Sequence, residues 1–265
     1  MRTTIKLILL DLILAQIVAP VLVMIPCVIY QFATTGNINN EALTSTIIIP
    51  AQLTGQVMMV IYLWKAGYIS KEKATWSPVS GSYLLLSVLA ILSCTFVVSA
   101  ITDLMKWIPD IMKFPFEILQ SSWVGILTIT IIGPIFEELL FRGAITKALL
   151  QQYDPAKAIF LSAFLFGVIH INPAQILPAF LIGILLTWIY YKTASLIPCI
   201  LIHILNNSLS LYLSAKFPGA KYIDEIITGT PYLIACLVSL LTLIGTILLM
   251  NRTTIRYPWN KTNIN

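Results

Sequence analysis

The chain has 265 residues, of which 58% are hydrophobic and 10% charged, with a mean hydropathy of +0.90. Soluble chains carry roughly 25% charged residues, so this composition excludes a soluble globular domain, and disordered, collagen-like and nucleic-acid-binding chains with it. The net charge of +5, from 16 Lys and Arg against 11 Asp and Glu, is read first as membrane topology and only then as a hint about partners.

A helix crossing a hydrocarbon core of ~30 Å needs about 20 largely apolar residues. In chain order such runs fall near 7–30, 46–64, 82–102, 121–141, 156–171, 175–191, 195–215 and 231–250. The expected fold is therefore all-α, a polytopic membrane bundle of about eight transmembrane helices. Seven remains open, because the fifth and sixth runs are short and separated only by Asn172, Pro173 and Ala174, which also suits a broken or re-entrant hairpin. Arg2 and Lys6 ahead of the first run resemble the start of a signal peptide. The run is too long for one and no small-x-small cleavage site follows, so an uncleaved first span is expected. Between the third and fourth runs, Asp103 to Glu117 mixes charges with Met105, Trp107, Ile108, Met112, Phe114 and Phe116. That pattern suits an amphipathic stretch in the outer interface, read as an aromatic belt in preference to a substrate gate. Cys27, Cys94, Cys199 and Cys236 lie inside apolar runs without paired spacing, as packing residues do. No internal repeat or dividing linker stands out, so residues 1–265 read as one transmembrane domain.

With the N-terminus inside, the inner loops and ends carry Arg2, Lys6, Lys65, Lys71, Lys73, Lys147, Lys157, Lys192, Arg252, Arg256 and Lys261. The outer ones carry only Lys106, Lys113, Lys216 and Lys221. Basic loops stay in the cytoplasm, so both termini are expected there.

An ionisable residue at the centre of a span costs roughly 2.5 to 3.5 kcal/mol on insertion scales, so those retained in the apolar runs are the informative ones. The densest set is Phe136-Glu137-Glu138-Leu139-Leu140-Phe141-Arg142, directly after Gly133-Pro134. The chain's two histidines, His170 and His203, occupy two further runs, and Asn206 and Asn207 follow His203. Arg142 is four residues after Glu138, about 40° round a helix, and five after Glu137, about 140° round. Arg142 can thus neutralise Glu138 and leave Glu137 pointing elsewhere, an unpaired carboxylate of the kind a general base near neutral pH requires. His203 and Asn207 share a face at i, i+4, and Phe166 at the same spacing can pack beside His170. Glu137 and His170 each lie 16 residues from the turn at Tyr153-Asp154-Pro155, ~24 Å along their helices, so in an antiparallel hairpin they meet at one level. The fourth helix must then run on past Arg142 to Lys147 and Gln151. A lone Glu-Arg pair or a lone histidine often serves only to hold helices together; their convergence from three helices points to a chemical or transport site.

These residues resemble the CPBP family of intramembrane proteases, which includes CAAX prenyl protease-like, Abi and bacteriocin-processing proteins. The pattern has three parts, present here as Glu137-Glu138-Leu139-Leu140-Phe141-Arg142, Phe166-Gly167-Val168-Ile169-His170 and His203-Ile204-Leu205-Asn206-Asn207. The match covers about 121–215, the expected catalytic helix core. The resemblance implies an endopeptidase acting on a membrane-associated protein or peptide precursor, with Glu137 activating the attacking water, His170 assisting, and His203 with Asn207 binding the oxyanion. Glu138 and Arg142 would be the orienting pair, supported by Phe166. No cofactor is certain. Glu137, His170 and His203 would make a three-ligand zinc set with an open position, as in a metalloprotease, yet there is no His-Glu-x-x-His helix and the family is also described as using a glutamate-activated water without a metal. Metal-independent activation is favoured. The expected partners are a peptide or protein substrate and the lipid bilayer, with no nucleic acid, in a bacterial cell membrane. The rival readings are a non-proteolytic bacteriocin immunity or scaffold protein and a proton-coupled transporter. The transporter would need inverted repeats with broken helices, and no second copy of the motif is present.

Overall fold

The computed structural model describes residues 1–253 and Trp259, and no strand occurs among them. Nine helices make up the architecture of the described residues: α1 (Arg2–Thr35), α2 (Asn40–Lys65), α3 (Gly81–Asp103), α4 (Lys113–Gln120), α5 (Trp123–Leu150), α6 (Pro155–Val168), α7 (Pro173–Thr193), α8 (Leu196–Lys216) and α9 (Gly229–Thr253). All but α4 and α6 are long and apolar enough to cross a membrane, and the chain is an integral membrane protein. Arg256 and Lys261, two of the basic residues expected on the inner side, lie outside the described residues.

Helix ends follow from their local sequences. Asn39 caps α2 by accepting from the amides of Glu41 and Ala42, each at 3.0 Å. Asp154 accepts from the Lys157 amide at 3.1 Å ahead of Pro155, whose missing N–H costs nothing in a first turn. Ser195 caps α8 and donates its hydroxyl to the Ser77 carbonyl at 2.6 Å.

The expected fifth span is shorter than its apolar run. α6 stops at Val168 after 14 residues, ~21 Å of helix and less than a full crossing. Asn172 precedes Pro173, where helical backbone is disfavoured, and Ile171 takes a left-handed conformation at φ 60°. His170 therefore sits on a turn beyond the helix end, and α7 leads back from it. The two arms approach closely: a Cβ on Gly167 would lie 2.6 Å from the Ile176 carbonyl oxygen, and one on Gly183 3.0 Å from the Phe166 ring.

Two packed regions flank α5. On one side Met59 and Leu63 of α2, Leu7 of α1, and Phe136, Leu140 and Ile145 of α5 are buried together. On the other, Ile91 of α3, Leu186 and Tyr190 of α7, and Cys199 and Ile202 of α8 form a second cluster. Every residue from Leu140 to Thr146 is buried, so α5 is enclosed over two turns. Its backbone is π-helical at Thr128–Ile132 and Leu139–Thr146, on either side of the paired glutamates. All four cysteines are free thiols.

The two ends of the bundle are tied separately. At the end holding the N-terminus, the Met1 amino group donates to Gln152, Lys147 pairs with Glu72 at 3.0 Å, and Lys192 donates to Asn251. At the other end Lys106 pairs with Asp224 at 2.7 Å and Tyr232 donates to Asp103 at 2.7 Å. There, buried Asn172 donates to Asp110 at 2.8 Å and accepts from the Ile111 amide at 3.1 Å, fastening the α3–α4 turn to the α6–α7 hairpin.

Candidate active site

The adjacent glutamates of α5 occupy opposite environments. Glu138 is fully buried; its Oε1 accepts from Arg142 Nη1 at 2.7 Å and lies 2.8 Å from His203 Nδ1. Arg142, also fully buried, donates a second bond to the Gly183 carbonyl at 3.3 Å and sets its guanidinium 4.6 Å from the centre of the Phe166 ring. One carboxylate thus joins α5 to α8, and its arginine joins α5 to α7. The pair at i, i+4 is the one helical geometry predicts. Glu137 keeps 28% of its side chain exposed and faces a cavity of about 370 Å³, within the range of small-ligand pockets.

Both histidines line that cavity with Glu137. His203 turns its Nε2 towards Glu137 Oε2 at 3.7 Å, longer than a hydrogen bond, so the groups are adjacent without being joined. Since a carboxylate only accepts, the tie to Glu138 places a proton on His203 Nδ1. His170 Nδ1 lies 2.7 Å from the Phe166 carbonyl, which likewise only accepts, so the Nε2 of neutral His170 carries the lone pair. Phe166 contributes more than one wall to His170: its ring meets those of His170 and Phe141 edge-on at 5.0 Å and that of His203 at 5.9 Å.

Asn207 lines the cavity and donates to the Ile129 carbonyl at 3.1 Å, while its Oδ1 accepts from Asn206 at 3.2 Å. Asn206 in turn accepts from the Thr95 hydroxyl at 2.7 Å. A primary amide has two N–H groups, so Asn207 retains one. Gly133 makes room beneath: a Cβ there would stand 2.9 Å from the Thr128 carbonyl oxygen and 4.0 Å from Glu137 Oε1.

The structure brings Glu137, His170, His203 and Asn207 to one cavity, with Glu138, Arg142 and Phe166 around and beneath it. It also adds residues outside the motif: Gln52 of α2, Phe116, Leu119 and Gln120 of α4, Gln175 of α7 and Ser210 of α8. Ser210, three residues after Asn207 on the same helix, had a readable spacing; the others had none. Asp11 of α1 is a further buried carboxylate, within Coulombic reach of Glu137. The expected outer belt is divided by the structure into the turn after Asp103 and α4, one face of which walls the cavity. Among the described residues no three His, Cys, Asp or Glu side chains come together in a way that could hold a metal ion.

Residues 119–209 match the family model described as Type II CAAX prenyl endopeptidase Rce1-like. The similarity to that family covers about a third of the chain. That segment includes every motif residue of the site. The chain is 25% identical over 109 residues to "Putative membrane peptidase YdiL" of Bacillus subtilis, covering 41% of this chain and 44% of the relative. It is 24% identical over 184 residues to UPF0177 protein YxdF of Lactococcus lactis, covering 66% of this chain and 97% of that protein. The chain thus spans less than half the length of the first of these relatives. No solved structure matches significantly.

Proposed function

We propose that the protein is an intramembrane endopeptidase of bacterial cell membranes, with both termini cytoplasmic, in which Glu137 activates water directly. The observation that carries this reading is the division of labour between neighbouring carboxylates: Glu138 is sealed with Arg142 and His203, while Glu137 faces the cavity beside two imidazoles. Glu137 takes a proton from water and the hydroxide adds to the carbonyl carbon of the scissile peptide. His170, its Nδ1–H held by the Phe166 carbonyl, accepts through Nε2 and orients that water. The negative charge that develops on the carbonyl oxygen is met by the remaining Asn207 N–H and by Nε2–H of His203 in its imidazolium form, which Glu138 stabilises from the Nδ1 side. Glu137 passes its proton to the departing amine, the C–N bond breaks, and a carboxylic acid and an amine leave, the acid then giving its proton to the amine or to water.

Comparison of membrane and secreted peptides from cells carrying the wild type, Glu137→Gln or His170→Ala tests this. Cleavage should vanish in both variants while the protein stays inserted at normal abundance. Full turnover by either variant would falsify the assignment, and a phenotype that persists in Glu137→Gln would favour a binding or immunity role. Metal analysis of active, chelator-washed protein tests direct water activation: activity that depends on stoichiometric zinc overturns it.

A further inference from the structure

The cavity at Glu137 extends towards one membrane face only. Its floor lies at Glu137, His203 and Phe166, and its lining continues along a stripe of α8 through Asn207, Ser210 and Ser214. Ser214 stands eleven positions beyond His203, about 16 Å along the helix at 1.5 Å per residue. This leads to the Lys216 end of α8, away from the chain's N-terminus. Gln175, close to the start of α7, and Gln120 of α4 line the same end. In the opposite direction the route is filled, because Glu138, Phe141 and Arg142 are at most 1% exposed.

Charge identifies the faces. Among the described residues nine Lys and Arg lie at the end holding the N-terminus, and four lie at the end to which the cavity leads. Basic loops stay in the cytoplasm, so the cavity leads to the extracytoplasmic side. Its chemistry suits an extended chain. Peptide N–H and C=O groups at membrane depth need partners, which the amide and hydroxyl side chains of α4, α7 and α8 supply. Phe116, Leu119 and Ile182 offer apolar surface to the substrate's side chains.

We infer that the scissile segment reaches Glu137 from the extracytoplasmic side, as an extended strand along α8. The substrate class is then the translocated part of a secreted or membrane-anchored precursor, and a protein-translocation step must supply it. A cytoplasmic C-terminus would have to pass the sealed layer at Glu138 and Arg142. The inference rests on the peptidase reading for its substrate, whereas the side of entry is measurable without any cleavage.

Full-length Ser210→Cys, Ser214→Cys and Lys71→Cys variants, all at exposed positions, are treated in intact cells with a membrane-impermeant maleimide; wild type gives the background from the four native thiols. Ser210→Cys and Ser214→Cys should label in intact cells, and Lys71→Cys only after lysis. Labelling of Lys71→Cys from outside, or of Ser214→Cys only after lysis, overturns the inference. Modified Ser210→Cys should also lose the Glu137-dependent cleavage, and full cleavage after modification overturns the route along α8. If no Glu137-dependent cleavage exists, the peptidase reading fails while the labelling still reports the side to which the cavity opens.

Discussion

Glu137 and Glu138 differ in what lies four residues on: Arg142 follows Glu138 at that distance, and its charge with the Nδ1–H of His203 fills one oxygen of that carboxylate. Breaking a fully buried pair from one side leaves the other charge unpaired, at a cost of about 3–5 kcal/mol. Arg142→Met should therefore lower the unfolding midpoint of the purified protein in detergent by far more than a surface substitution, and Glu138→Gln added to it should restore part of the loss. An unchanged midpoint in the single variant would show that the pair does not hold α5, α7 and α8 together. The Glu138–Arg142 contact was legible in the sequence because both residues belong to one helix, where spacing fixes direction. The tie from His203 to Glu138 was not: spacing put His203 on a face with Asn207 but gave no means of knowing which helix that face meets. Asp11 escaped notice for a related reason. It is a single acid in a long apolar run, and only packing brings it near Glu137.

The short α6 arm is what presents His170 on a turn instead of within a helix. Its geometry depends on Gly167, where an added Cβ would fall 2.6 Å from the Ile176 carbonyl of α7. Backbone on the neighbouring helix cannot rotate aside, so Gly167→Ala forces the arms apart, at about 1–3 kcal/mol for overpacking. It should also move Phe166 and His170. The expected result is a lowered unfolding midpoint together with loss of cleavage; cleavage at the wild-type rate would mean that the arm's position is not critical. The arm and its Pro-terminated turn are legible in the sequence, but the apolar run continues to residue 171, past the helix end at Val168. Apolar content does not record the turn after Val168 or the left-handed Ile171 that follows it, an unusual conformation for a β-branched side chain. The aromatic stretch after Asp103 likewise read as amphipathic. Whether its apolar side meets lipid or a cavity is decided by tertiary packing, which turned Phe116 and Leu119 towards the site.

Over the whole molecule, separate contacts fasten each end of the bundle, and those at the cavity end are electrostatic. The Asp224 carboxylate, hydrogen-bonded to Lys106, holds the lysine ammonium above its usual range, with Glu225 and Asp103 adding to the effect. A base whose pKa is higher in the folded protein contributes while it is protonated, and the contribution is lost as pH rises past the folded value. The clasp should thus persist at neutral pH and open only above the ordinary lysine value of 10.5. Fluorescence of Trp107, exposed one residue from Lys106, should report a transition there in the wild type and none in Lys106→Met; a transition shared by both would assign it to another group. The interior follows a different rule. Most membrane helices alternate protein-facing and lipid-facing positions, which leaves part of each open to substitution, but α5 between Leu140 and Thr146 has no outward side. Mutational tolerance along this chain should therefore fall to its lowest over seven consecutive residues, and variants that retune the site are better sought on the walls of α4 and α8 than on the helix that carries its glutamates.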